Sequence, residues 1–319
     1  MIVSEMPVHL RRAHDEETGL ALIRLIETLA MTLGIIRRKI EITVAAFAFL
    51  LVIYSFSGSA QPSQPPPDEL IRRVVRNELR AEDQDHSHWM FRLETEKKNA
   101  QKEVDEVVET KNGDLMLPIL INGHELTAKQ QQESDKRLEQ LLHSPEALRK
   151  SLKDKNQDAA RSQRLLRMLP DALIFNYGER RGDLVQLTFK PNPDFHPGSR
   201  EAEVFHAMDG SLWVDSKQER VAEITGRLVK AVKFGGGLLG HLDKGGAFEV
   251  KQEPVAPGYW ELTVLEVQMK GKALFFKTIG VQQKSFRSEF KQLPDDLTPV
   301  QAAEMLRKEV ASQRRPPRH

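Results

Sequence analysis

Asp83, Asp85, His86 and His88 crowd into the stretch EDQDHSHW. Two histidines at i and i+2 on a strand project from one face, and imidazoles so placed suit a divalent metal when a third ligand joins them. No second spaced pair of ligands accompanies His86 and His88, so polar residues at the mouth of a first strand are the plainer reading. His124, His143, His196, His206 and His241 stand singly. Gly235, Gly236, Gly237 and Gly240 lie in GGGLLG, which formally matches the glycine pattern of dinucleotide sites. That chemistry needs a helix to begin at the third glycine, so that its N-terminus faces a pyrophosphate. Here the chain runs on through His241-Leu242-Asp243-Lys244-Gly245-Gly246 into another turn. A loop or hairpin connection is expected, with a gate beside a cavity as its functional version.

Other catalytic arrangements are missing. The chain has no cysteine, which removes disulfides, thiolate metal sites and a Cys nucleophile. No nucleophile elbow, zinc-protease helix, P-loop or acyl-serine set stands where its mechanism would need it. Asp295-Asp296 sits beside Pro294 at a helix start, where carboxylates favour the positive end of the dipole. No cofactor is implied, and a non-catalytic protein is expected. Lys and Arg number 47 against 46 Asp and Glu, a net charge of +1, so no electrostatic excess points to nucleic acid.

The remaining candidates are aromatic. Trp89, Phe91, Phe189, Trp213, Trp260 and Phe275 fall in stretches with strand periodicity. A curved sheet brings some of such residues to its concave face, where they line an apolar cavity or fill an ordinary core.

The elements that must position them read as follows. Asp68 caps a helix running to about Ala81, with an apolar stripe at Leu70, Ile71, Val74, Val75 and Leu79. From Trp89 the period changes to alternation, and Asn112-Gly113 and Asn122-Gly123 mark hairpins. Thr127 and Ser144-Pro145 open the two helices of an insert, 127–169. Strand signals then return at 172–177, 184–190, 201–208, 212–215, 221–234, 247–254, 259–269, 272–278 and 284–293. Thr298-Pro299 begins a last helix through about Val310. Many short strands separated by turn residues predict an α+β protein built on one large curved antiparallel sheet with covering helices.

The N-terminal part reads as an address. Ile42 to Phe56 is almost wholly apolar and follows Arg37-Arg38-Lys39, an n-region and h-region in order. Gly58 and Ala60 supply small residues for cleavage between Ala60 and Gln61. The run is short for a spanning helix, which wants about 20 apolar residues, so a signal peptide is favoured over a signal anchor. Met31 opens a conventional n-region, which makes 1–30 an extension of doubtful start, 31–60 the signal or anchor, 61–67 a Pro-rich linker and 68–319 one domain.

This layout resembles the periplasmic lipoprotein-carrier superfamily, the LolA-like proteins of outer-membrane lipoprotein sorting. The likeness covers roughly Asp68 to Leu293 and is carried by Met208-Asp209-Gly210-Ser211-Leu212-Trp213-Val214-Asp215, by Arg220 to Leu228, and by Gly258-Tyr259-Trp260-Glu261-Leu262 to Lys270-Gly271-Lys272. The resemblance implies an incomplete β-barrel under helices with an apolar cavity for acyl chains. The insert 127–169 and the glycine-rich stretch after Phe234 depart from the simplest carriers. Its phrases belong to the fold, and no functional residue carries over position by position.

The expectation that follows is an exported envelope protein, periplasmic or anchored in the inner membrane through 42–56. It would bind an acyl chain or lipoprotein between sheet and helices by burying apolar ligand surface. The alternative is a sensor or interaction module that uses the same fold to recognise an envelope protein. A metalloprotein or hydrolase centred on Asp85, His86 and His88 comes third.

Overall fold

The computed structural model describes residues 64–97, 100–199, 201–237, 240–273 and 278–313. The signal or anchor segment, its cleavage site at Ala60 and Gln61, and Phe275 lie outside the described residues. Among the described residues no helix is long and apolar enough to cross a membrane.

Helix α1 spans Pro67–Gln84. Pro67 occupies its first turn, where a missing N–H costs nothing, and Asp68 and Glu69 follow it there. Asp68 therefore serves the helix dipole from within, and Pro66 holds the N-cap position with no side-chain bond. The Tyr177 hydroxyl donates to the Pro65 carbonyl at 2.6 Å, which ties the end of the linker to the sheet. Leu70, Ile71, Val74 and Val75 are the buried stripe, as their spacing predicts.

Four strands come next: β1 His88–Lys97, β2 Lys102–Val108, β3 Leu115–Ile121 and β4 His124–Glu125. Asn122 and Gly123 both take positive φ, 53° and 77°, the geometry of a two-residue hairpin turn. Helix α2 is Ala128–Leu142, started by a capping box between Thr127 and Gln130. Helix α3, Pro145–Ala172, is capped by Ser144 and ends two residues after Pro170.

The second run contains β5 Leu173–Arg181, β6 Leu184–Pro191, β7 Met208–Asp215, β8 Arg220–Leu228, β9 Val232–Phe234 and β10 Gly240–Leu242. It continues with β11 Ala247–Ala256, β12 Tyr259–Ala273 and β13 Thr278–Leu293, and helix α4 is Pro299–Gln313. Three strand expectations need correction. The stretch 272–278 does not stand as a strand of its own, since β12 runs unbroken through Lys270-Gly271 to Ala273. Glu201–Ala207 is a 3-10 turn, because Ala202, Val204, Phe205 and Ala207 are all buried, a spacing that alternation cannot satisfy. The stretch 221–234 breaks into β8 and β9, since Gly245 and Gly246 bond the backbone of Leu228 and turn the chain there.

All thirteen strands belong to one antiparallel, unclosed sheet, with main order β4-β3-β2-β1-β13-β12-β11-β8-β7-β6-β5 and a β9–β10 hairpin extending the edge of β12. Helices α2 and α3 carry the chain from one free edge, β4, to the other, β5.

The register fixes which residues share a face. Leu187, Leu212, Ile224, Val250, Leu265, Ser285 and Thr95 pair in one unbroken row across β6, β7, β8, β11, β12, β13 and β1. Thr95 and Phe91 have the same parity on β1, so this row and Phe91 share a face, here called the back. Met90, on the opposite or front face, pairs through Val108 to Leu115. The back-face row packs with α1 and the C-terminal half of α3, including Ile71, Val74, Leu165 and Leu166. Met90, Val108 and Leu115 pack instead with Leu138 of α2, Leu148 of α3 and Leu306 of α4. The helices thus cover the back of one half of the sheet and the front of the other.

Candidate functional site

With α1 and α3 behind it, the second half of the sheet leaves its front face open. A groove of about 690 Å³ lies there, across β6, β7, β8, β11 and β12. Two front-face rows supply its rim. Thr188, Ser211, Thr225, Glu249 and Glu266 pair in sequence across the five strands, and Asp209, Arg227, Ala247 and Gln268 form the next row, with Lys190 of β6 also at the rim.

Two glycines set its floor. Phe189, Gly210, Gly226 and Phe248 form one row between those two. By parity with Leu187, Leu212, Ile224 and Val250 it belongs to the back face, so the groove meets this row at its backbone while the two rings pack in the back core. A Cβ on Gly226 would lie 2.4 Å from the Phe248 ring, and one on Gly210 would lie 2.0 Å from the Thr225 carbonyl oxygen. Glycine is therefore required at both positions for the strands and phenyl rings to approach so closely. The result is a floor of closely approaching strand backbone beneath a polar rim.

Hydrogen bonds and ion pairs hold the rim. Ser211 Oγ and Thr225 Oγ1 lie 3.1 Å apart, and Arg227 Nε donates to Asp209 Oδ1 at 2.8 Å. Lys284 Nζ lies 2.8 Å from Glu266 and Lys251 Nζ 2.8 Å from Glu249. The Lys284 bond holds the Glu266 carboxyl below its ordinary value. These pairs are exposed and each contributes little to stability, but together they fix the rim's shape.

The helix-covered side is closed by packing and by one buried ion pair. Glu78 of α1 accepts from Arg220 Nε at 3.0 Å and from the Val221 backbone at 2.7 Å. Burial pushes the Glu78 carboxyl up, against the lowering pull of Arg220. Near the end of α1, burial pushes Glu82 up to about 7 against a hydrogen bond from Gln163.

Five of the six aromatic candidates fall among the described residues, and they do not converge. Trp89 and Phe91 join Tyr259 and Phe290 in a separate back-face cluster, with Trp89 5.5 Å from Tyr259 and Phe91 5.5 Å from Phe290. Trp213 faces front beneath Arg181, whose guanidinium lies 4.2 Å from its ring. Trp260 donates to Gln218 Oε1 at 2.9 Å and has the Arg220 guanidinium 5.8 Å from its ring. Phe189 packs 5.9 Å from Phe175 in the back core, and of the five only its strand position borders the groove.

Gly235–Gly237 makes a short 3-10 turn and Gly240 begins β10. No helix starts at the third glycine, so the dinucleotide reading loses its geometric basis. The stretch is the tip of the β9–β10 hairpin, with Gly236 and Gly237 at φ 67° and 97°. His86 lies in the link between α1 and β1 and His88 is the first residue of β1; in that link Asp85 Oδ1 accepts from the Ser87 backbone at 2.8 Å, and Ser87 Oγ accepts from Trp89 Nε1 at 3.1 Å. Among the described residues no group of three His, Asp or Glu is placed to hold a metal.

The polar rim escaped the sequence reading. Its signal is present in β6, where Gln186, Thr188 and Lys190 alternate with Val185, Leu187 and Phe189. Such alternation reads as a solvated face until the register gathers the rows. Comparison with family models, curated proteins and solved structures gives no match. The geometry alone carries the functional reading.

Proposed function

We propose that this chain is a non-catalytic binding module of the bacterial envelope, delivered there by the apolar segment 42–56, that recognises a protein partner on the open front face of β6 to β12. One observation carries the reading. Behind the sheet, Ile71, Val74, Leu166, Leu187 and Leu212 bury one another, whereas in front a groove with a polar rim opens.

An acyl carrier would need apolar space between helices and sheet, and helix side chains occupy that position here. A half-barrel remains compatible with the unclosed sheet. Its open side, however, offers hydroxyls, carboxylates and an amide, groups suited to hydrogen-bonded recognition at a polar rim.

The test uses the full chain in bacterial membranes with a photo-crosslinking residue at Thr188, at Gln268 or, as control, at Lys150. The expected result is one discrete adduct from both groove positions and none from Lys150. A native mass spectrum showing a stoichiometric acyl species, with no groove-specific adduct, would return the reading to lipid carriage.

A further inference from the structure

A second groove, of about 660 Å³, lies at the other end of the front face and does not depend on the first. Helix α4 covers the front of β2 and β3 up to Gln313, whose amide donates to Glu106 Oε1 at 2.9 Å. Among the described residues nothing covers the sheet beyond that point. In register across β13, β1, β2, β3 and β4 stand Phe286, Glu94, Val104, Leu120 and Glu125. All five line the groove. Phe286 is 39% exposed, an unusual position for a large aromatic side chain.

Among the described residues the charges do not cancel. Arg92 is committed to Glu289 and also faces Glu106, and Lys102 pairs with Glu96 at 3.6 Å. Glu94 and Glu125 are exposed and have no ion-pair partner among the described residues. They flank the apolar pair Val104 and Leu120. Three strand intervals separate them, about 14 Å at about 4.8 Å each. An extended chain advances about 3.4 Å per residue, so residues i and i+4 span that distance and point to the same side.

We infer that this groove receives an extended, basic segment of a protein partner, with two Arg or Lys side chains four residues apart on Glu125 and Glu94 and an apolar side chain between them on Val104 and Leu120. The chain itself continues after Gln313 as Arg314-Arg315-Pro316-Pro317-Arg318-His319. That basic stretch has the chemistry to compete for the same carboxylates, and the test must separate it from a partner.

The experiment titrates the full chain into fluorescein-labelled Arg-Ser-Leu-Ser-Arg and into the same residues reordered as Arg-Arg-Ser-Leu-Ser, followed by fluorescence anisotropy. The spaced peptide should bind about tenfold more tightly, and the binding should weaken with ionic strength. Glu94→Gln with Glu125→Gln should lower its affinity about tenfold, and Phe286→Ser should weaken it further. Because the two carboxylates are exposed, unchanged far-UV circular dichroism verifies that these variants fold. Equal affinity for both peptides, no effect of the two Gln substitutions, or no binding at all overturns the inference. Binding that appears only after deletion of residues 314–319 also overturns it, by assigning the groove to the chain's own basic stretch.

Discussion

The β1–β4 half and the β5–β12 half are made of the same alternating strands, yet helices cover the first in front and the second behind. β13 shows where the change takes place. Its Val281 joins the back-face core and its Leu293 the front-face core, with a bulge opposite Phe91 between them, where Glu289 takes φ 57°. A continuous sheet can therefore serve two cores, provided its central strand tolerates half-burial on both sides. Helix α3 connects them: Leu148 enters the front core, and Leu165, Leu166 and Leu169 enter the back core. The first groove lies on the face that helices leave open in the β5–β12 half, and the second lies on the helix-covered front of the other half, past Gln313.

Removing one partner of the ion pair that fixes α1 should have the largest effect. Arg220→Ala leaves the Glu78 carboxylate buried and unpaired, at a cost of about 3–5 kcal/mol, measurable by urea denaturation. Next, Leu166→Ala in the back core and Leu306→Ala in the front core should each cost about 2–5 kcal/mol. Because β1 and β13 join the halves into one sheet, both variants should shift a single unfolding transition. Two separated transitions would divide the molecule into independent units and break the comparison.

How far the sequence reveals this arrangement differs between its elements. The helices at Thr127 and Ser144-Pro145 are legible because capping residues and a proline specify their starts locally. The antiparallel strands are legible from alternation and turn residues. The choice of face is not, because alternation identifies a buried side without saying which helix buries it. Trp89 and Trp213 look equivalent in sequence, yet they lie on opposite faces, one in an aromatic cluster and one beneath Arg181. The groove rim depends on register across five strands, information that no single strand contains.

Smaller effects sharpen the picture within the second half. Gly210→Ala should destabilise by about 1–3 kcal/mol, since the added methyl meets backbone that cannot yield locally. Glu82, whose folded value is about 7 against an ordinary 4.5, gives a pH signature. Its protonated form favours the folded state, so its contribution is full below about 4.5 and is lost as pH rises through about 7. Thermal midpoints of the parent chain should fall across that window, and Glu82→Gln should flatten the slope. Arg181→Ala, which uncovers Trp213, should cost about 0.5–1 kcal/mol by thermal unfolding.

The covering of the β5–β12 half, helices behind and an open front, is tested most directly at two neighbouring residues of β6. The chain contains no cysteine, so Leu187→Cys and Thr188→Cys each introduce a single reactive thiol. Leu187 is 0% exposed on the back, whereas Thr188 is exposed at the front. A water-soluble maleimide should modify Cys at 188 as fast as a free thiol and leave Cys at 187 protected until the protein unfolds. Equal labelling of the two, or protection at 188 with reaction at 187, would contradict the account.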